Sequence, residues 1–451
     1  MQDNILYIKD GVLIDPEQDR MYPADLLIEQ GRIKKIFLPA QTQGKEPGTE
    51  KKSLPADAKV IDAQGLLIAP GLADTHVHFR DPGFTYKEDI ESGAMAAKKG
   101  GFTQIVLMAN TNPCVDNLET LSYVLNKGKR TGIHIHSCAN VSKGMKGEAL
   151  TDMEKLAISG AAGFTDDGIP LLGEELVRQA MERAGKLQKP ISFHEENPAL
   201  ISNNGIHAGE ASAYYGIGGS PREAEISMVE RDLRLAQGTG AKIVIQHIST
   251  KEAVELVRRA KEKGMDVHAE ATPHHFTLTQ KAAMEKGTMA KMNPPLREET
   301  DRIAIIEGLA DGTIDLIATD HAPHAREEKE RPITEAPSGI IGLETALSLG
   351  IRELVEKGYL ELPKLFHRMS TAPCKLYGLD GGTVREGAAA DLVLFDPKEH
   401  WKVGRFASKS ANSPFVGEEL PGVVRMTICN GRIVYENGSS VHDERYSFAI
   451  F

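Results

Sequence analysis

His76-Val77-His78 closes a strand-like apolar run that begins at Leu66. Side chains alternate faces along a strand, so residues two apart look the same way. Two imidazoles at that spacing can converge on one metal ion, and imidazole nitrogen suits zinc. One H-x-H pair says little, because strand-end histidines often serve packing or the surface. Here, however, the ends of four later apolar runs carry further ligand types: Phe164-Thr165-Asp166-Asp167-Gly168, Ser192-Phe193-His194-Glu195, Ile245-Gln246-His247-Ile248 and Ala318-Thr319-Asp320-His321. A single aspartate at such a place commonly caps the next helix. The joint set is enough for two zinc ions sharing an oxygen, and metals roughly 3.5–4 Å apart lower the pKa of the water between them and polarise a carbonyl. Asp166 and Asp167 point to opposite sides if their strand continues, so only one of them bridges, and spacing does not choose.

These ends need elements that aim them at one place. Apolar runs at 66–78, 102–109, 133–139, 162–165, 191–194, 242–247, 266–271 and 314–319 alternate with helical patterns. In Glu252–Lys261, for example, positions 253, 254, 256, 257 and 260 form one apolar face. Ser220-Pro221-Arg222-Glu223 reads as a helix start with Ser220 as N-cap and Glu223 closing a capping box. Strand–helix alternation of this length implies parallel βα units, and eight of them predict an α/β fold closed as a (β/α)8 TIM barrel, whose sites lie at the C-terminal strand ends. The barrel is assigned to 66–379. Residues 1–65 and 380–451 have short-strand texture and are expected to pair into a small flanking β-sandwich. Lys9-Asp10-Gly11 and Glu29-Gln30-Gly31-Arg32 read as turns, Asn430-Gly431 as a hairpin turn, and 41–58 as a polar surface loop.

Composition excludes several classes. At 451 residues, 41% hydrophobic and 26% charged, the chain is an ordinary globular protein. A net charge of −11 argues against binding a phosphate backbone. The four cysteines, Cys114, Cys138, Cys374 and Cys429, form no C-x-x-C pair and no disulfide framework. Met1-Gln2-Asp3-Asn4 does not open a signal peptide, and no apolar run approaches the ~20 residues of a membrane span, so a cytoplasmic protein is expected. Among the other histidines, His134 and His136 also form H-x-H but precede their strand end. His207, His367, His400 and His442 lie away from strand ends, and His268, His274 and His275, assigned after the seventh strand, are read as non-ligands, with a supporting role behind the ligands left open.

At these residues the chain resembles the cyclic amidohydrolases, and within them the class I bacterial dihydroorotases. The blocks that carry the resemblance are His76–Gly83, Met108–Pro113, Phe164–Gly168, Gln246–Thr250, Ala269–His275, Lys291–Arg297 and Ala318–His324. The resemblance implies reversible interconversion of N-carbamoyl-L-aspartate and L-dihydroorotate. It implies one zinc on His76, His78 and Asp320, a second on His194 and His247, and Asp167 bridging them. Arg80, Asn110 and His324 would bind the substrate carboxylate, with His78 beside them and Asn293 and Ser338-Gly339 against the ring. Asp320 would also shuttle the proton. A homodimer and association with aspartate transcarbamoylase belong to the same resemblance. A planar guanidinium suits a carboxylate; the bland alternative for Arg80 is an ion pair with Asp81 or Glu88. Departures from the family pattern are Ala109, Phe193-His194-Glu195-Glu196-Asn197 and Ser338, none of which removes a ligand. Hydantoinases and dihydropyrimidinases, the nearest confusable relatives, usually bridge their metals with a carbamylated lysine at the end of strand four. Aspartates stand there, and the nearest upstream lysine, Lys155, lies in the preceding helix. Two other readings are a hydrolase of another cyclic amide and a non-enzymatic partner of a transcarbamoylase. Residues 325–340 form a polar connection read equally as a lid or a solvated loop.

Overall fold

The computed structural model describes residues 5–39, 55 and 58–438. Met1–Asn4, most of the 41–58 loop and His442 lie outside them. The strands are β1 (Leu6–Asp15), β2 (Arg20–Glu29), β3 (Arg32–Phe37), β4 (Lys59–Asp62), β5 (Leu67–Pro70), β6 (Leu72–Val77), β7 (Phe102–Leu107) and β8 (His134–Ser137), then β9 (Ile191–Phe193), β10 (Ile243–Ile245), β11 (Val267–Ala271), β12 (Leu316–Ile317), β13 (Leu392–Lys402), β14 (Glu419–Cys429) and β15 (Arg432–Glu436).

The expected turn at Lys9-Asp10-Gly11 is instead a bulge inside β1, whose register against β2 shifts between Ile8 and Gly11. Asp10 takes φ 60°, and its N–H donates to Asp25 Oδ1 at 2.8 Å. Gly11 is needed for contact rather than for a turn, because a Cβ there would run into Ile68. The first long apolar run is likewise divided. β5 pairs with β1 and β13, whereas β6 pairs in parallel with β7. The chain crosses between sheets at Gly71, where any side chain would collide with Thr103.

β6-β7-β8 and β9-β10-β11-β12 are parallel sheets. Single bridges link them: Ala139 to Phe164, Phe164 to Ile191, and Val77 to His321. The run at 162–165 is therefore one bridging residue and not a strand, flanked by Phe164 N–H to Pro190 O at 3.0 Å and Thr165 N–H to Ala139 O at 2.9 Å. Helices lie between the strands as the periodicity predicts. Helix Lys251–Glu262 buries Ala253, Val254, Val257 and Ala260. The start of helix Arg222–Ala236 differs from expectation: it has no side-chain cap. The Ser220 hydroxyl donates to Glu196 instead, at 2.8 Å.

The terminal β segments meet in one eight-stranded sheet, ordered β15-β14-β13-β5-β1-β2-β3 with β4 on β1. Ile8, Leu13, Leu26, Ile28, Ile68, Leu392, Leu394 and Ile428 share a buried cluster separate from the main core. Asn430 and Gly431, at φ 48° and 67°, turn the β14–β15 hairpin as the sequence predicts. Gly71→Ala should lower stability by about 1–3 kcal/mol through overpacking, read as a reduced denaturant midpoint with unchanged slope.

Candidate metal centre

The strand ends bring six residues together. His76 is the next-to-last residue of β6 and His78 the first beyond it. His194 directly follows β9, His247 follows β10, and Asp320 follows β12. Asp167 comes three residues after the Phe164 bridge. None of the six is more than 8% exposed. His76 Nε2 lies 3.3 Å from Asp167 Oδ1 and 3.6 Å from Asp320 Oδ1. His78 Nε2 lies 3.0 Å from Asp320 Oδ1 and 3.4 Å from Asp167 Oδ2. On the other side, His194 Nδ1 and His247 Nε2 are 2.9 Å apart and sit 3.8 and 3.9 Å from Asp167 Oδ1. Two groups with ligand spacing thus share one member: His76, His78 and Asp167, and Asp167, His194 and His247. Asp166 faces elsewhere, accepting from Val141 N–H at 2.8 Å and from Asn140 and Ser142.

The rings of His76, His78 and His194 are aimed by the partner of the other nitrogen, the usual arrangement around a bound cation. His76 Nδ1 meets Glu270, which also accepts from the His247 backbone N–H at 3.3 Å. His78 Nδ1 meets Asn110 Oδ1 at 3.0 Å, and the Asn110 amide donates to Asp167 Oδ2 at 3.1 Å. His194 Nε2 lies 3.4 Å from Glu196 and 3.2 Å from the Asn293 amide nitrogen. The Asp74 carboxylate accepts from His76 N–H and Thr319 N–H, fastening β6 to the Asp320 loop. Sequence reading assigned no role to Glu270, Glu196 or Asp74. The signal for Glu270 was present: a carboxylate inside the buried strand β11 requires partners.

Charge follows this geometry. Burial opposes ionisation of Asp167, yet His76, His78 and His194 hold its carboxyl well below the usual range. Burial also disfavours the His76 cation, but Glu270 and Asp167 raise its pKa. Burial lowers His247, and the facing His194 and His76 lower it further.

Above the cluster is a cavity of about 130 Å³ bordered by Arg80, Asn110, Asn293, Ser338 and Gly339. Arg80 makes neither ion pair considered for it. Asp81 pairs with Lys127 at 2.7 Å, and Glu88 takes the hydroxyls of Ser92 and Ser408. The guanidinium donates to Pro323 O at 3.2 Å, and among the described residues no carboxylate lies within ion-pair distance. His324 is next to it, with Nε2 2.9 Å from Ser338 O and Nδ1 3.3 Å from Lys87 Nζ. Burial and the charges of Arg80, Lys87 and Lys329 keep this imidazole neutral. The 325–340 connection is pinned from beneath. Buried Lys329 donates to Pro337 O and Gly339 O at 2.9 and 3.1 Å, and Lys291 to Ile333 O and Ala336 O at 2.7 Å each. Burial brings the Lys329 ammonium down to about 7.

The remaining histidines among the described residues stay outside the cluster. His136 meets Gln104, His207 meets Arg297, and half-buried His268 pairs with Asp266. His275 does support the site at one remove, since its Nε2 lies 3.1 Å from Pro294 O, beside Asn293. Lys155 is on the surface, 2.8 Å from Asp152 in helix Met153–Ile158.

A family profile described as Dihydro-orotase-like matches residues 65–253. The dihydroorotase of Clostridioides difficile (strain 630) is 52% identical over 431 residues, covering 96% of this chain and 100% of that protein. The dihydroorotase of Lactococcus lactis subsp. lactis is 46% identical over 96% of this chain and 99% of its own length. Among solved structures, the L-hydantoinase (dihydropyrimidinase) from Arthrobacter aurescens is similar with a TM-score of 0.85 at 26% identity, each chain covered to 96%.

Glu270→Gln should weaken divalent-cation affinity about 10–100-fold, measured by competition with a chelator of known affinity. Unchanged affinity would show that Glu270 does not orient a ligand.

Proposed function

The chain belongs to the dihydroorotase family, and from that premise we propose that it interconverts N-carbamoyl-L-aspartate and L-dihydroorotate, the ring-closing step of de novo pyrimidine (UMP) synthesis. It is a cyclic amidohydrolase. The observation that carries the substrate assignment is Arg80, a guanidinium with no carboxylate partner among the described residues, at the mouth of the His/Asp cluster. A ring bearing a carboxylate complements it; a bare hydantoin or dihydropyrimidine does not. The surface position of Lys155 also favours this reading over a lysine-bridged hydantoinase.

The residues fit a pair of divalent cations. His76 Nε2 is buried and has no hydrogen-bond partner, although it faces two carboxylates. Nitrogen and oxygen donors in this proportion suit zinc. One zinc would rest on His76, His78 and Asp320, the other on His194 and His247, with Asp167 joining them. Bound there, paired zinc lowers the pKa of a water and polarises the amide carbonyl.

The chain's own groups do the rest. Arg80 forks onto the substrate carboxylate, with Asn110 and neutral His324 beside it, and His78 borders the same pocket. Asn293 and Ser338-Gly339 contact the ring and fix which carbonyl faces the cluster. In ring opening, Asp320 accepts the proton that water gives up and passes it to the departing ring nitrogen. In ring closure, it removes a proton from the ureido nitrogen as that nitrogen attacks the side-chain carboxylate, and hands it to the carboxylate oxygen, which departs as hydroxide as the C–O bond breaks. The Asp320 carboxylate oxygen 3.0 Å from His78 Nε2 supports this role.

The single bridges between the parallel sheets support a closed (β/α)8 barrel for the region assigned to 66–379, with its first strand at β6 because β5 belongs to the terminal sheet. The shared sheet and its separate apolar cluster support 1–65 and 380–451 as halves of one β-sandwich. Among the described residues, no helix is long and apolar enough to cross a membrane; we place the reaction in the cytoplasm. A homodimer and a complex with aspartate transcarbamoylase complete the reading, and gel filtration of the chain alone and of the mixture tests both.

Metal analysis coupled to a carbamoyl-aspartate cyclisation assay should show at least about two zinc ions per chain and activity lost on chelation and restored by zinc. Asp320→Asn should reduce turnover about 10²–10⁴-fold; near-wild-type turnover at full zinc occupancy would remove Asp320 from proton transfer. Arg80→Met should cost about 1.5–3 kcal/mol of substrate binding, seen as a raised KM for dihydroorotate. Preference for a ring lacking a carboxylate would overturn both the Arg80 role and the substrate.

A further inference from the structure

His134-Ile135-His136 repeats the spacing of His76-Val77-His78 but is not part of that cluster. His136 Nε2 faces Gln104 Oε1 at 2.9 Å. His134, the first residue of β8, reaches the seam with the flanking sheet. There it meets Asp391, the residue before β13, and Cys429, the last residue of β14. His134 Nε2 lies 3.0 Å from Asp391 Oδ2, and the ligand atoms of all three lie within 4.8 Å of one another. Asp391 and Cys429 are each 2% exposed, whereas the His134 side chain is 28% exposed, so one side of the trio opens to water.

We propose that His134, Asp391 and Cys429 form a third, thiolate-containing site for zinc or a similarly soft divalent cation, tying β8 to the β13–β14 pair. A tetrahedral zinc with N, O and S ligands at about 2.0–2.3 Å needs ligand atoms roughly 3–4 Å apart. The trio is already close to that spacing, with the exposed side left for water as fourth ligand. The carboxylate is held in place from behind: Asp391 Oδ1 accepts from Asn430 N–H at 2.7 Å, and Oδ2 from the Gln104 amide at 3.3 Å. Such support is what a carboxylate ligand requires. A thiolate and an imidazole select a softer cation than magnesium or calcium.

Without a cation, protons hold the trio together. Burial opposes the His134 cation, but Asp391 raises its pKa; burial pushes the Cys429 thiol up. Binding of M²⁺ expels the thiol proton and, from the imidazolium form, the ring proton, and forms M–S, M–N and M–O bonds with no change of oxidation state. Further charges of opposite sign act on the trio, Lys98 on Cys429 and Asp380 on His134.

The main cluster contains no sulfur donor, which makes the two sites spectroscopically separable. Full-length protein stripped of metal and titrated with Co²⁺ should develop a near-ultraviolet thiolate-to-cobalt charge-transfer band. The band should be absent in Cys429→Ser, which should also bind one metal fewer per chain. Absence of the band in the wild type at saturating cobalt, or its persistence in Cys429→Ser, would overturn the proposal and leave a proton-held ion pair only. If Cys429→Ser does not fold, partly exposed His134→Gln serves instead: at least a tenfold rise in half-saturating cobalt supports the site, and an unchanged titration refutes it. Neither readout needs turnover, so the result is independent of the catalytic assignment.

Discussion

An ionised carboxylate taken out of water must be surrounded by donors or cations, and at Asp167 this requirement organises the whole centre. Its two oxygens face imidazoles from β6, from beyond β9 and from beyond β10, and the Asn110 amide closes the remaining side. No single element could supply that ring of partners. It requires strand ends from opposite sides of the molecule at one height, which the parallel strands and their linking bridges provide. Glu270 extends the same logic one layer down. It takes the His76 ring and the His247 backbone at once, so the two halves of the cluster cannot shift independently.

The six clustered side chains could be picked out in the sequence because their types are rare together at strand ends, and alternation along a strand places His76 beside His78. What could not be read depended on partners far away in the chain. Nothing around Gly71 announces that Thr103 fills the space its side chain would take, so one long run looked like one strand. Gly11 followed a turn-like pair, yet it packs on Ile68. Alternation offered both Asp166 and Asp167; the choice came from Asn140, Val141 and Ser142, whose polar groups claim Asp166. Ser220 looked like a helix cap until the buried Glu196 carboxylate was found to need its hydroxyl.

Three residues at the site occupy the left-handed region without being glycine: Arg80 at φ 59°, His247 at 31° and Asp320 at 48°. Such conformations cost on the order of 1–3 kcal/mol each and persist where the surroundings over-determine them. Around Asp320 the surroundings do so. Thr319 N–H is held by Asp74, His321 bridges to Val77, and His78 N–H donates to His321 O at 2.9 Å. Local strain is thus held by strand-like bonding on both sides, and the carboxylate emerges at an angle that a regular strand would not give.

The flanking sheet joins segments far apart in the chain: Leu392 stands opposite Pro70, and Ile33 N–H donates to Ala388 O at 2.9 Å. During synthesis β5 therefore emerges from the ribosome long before β13 exists to cover its edge. Such late, distant pairing is slow and leaves a strand edge open to unwanted association. A nascent or truncated chain ending before β13 would carry every residue of the metal cluster and still be incomplete, with the hydrogen-bonding groups of β5 available to chaperones or to neighbouring chains.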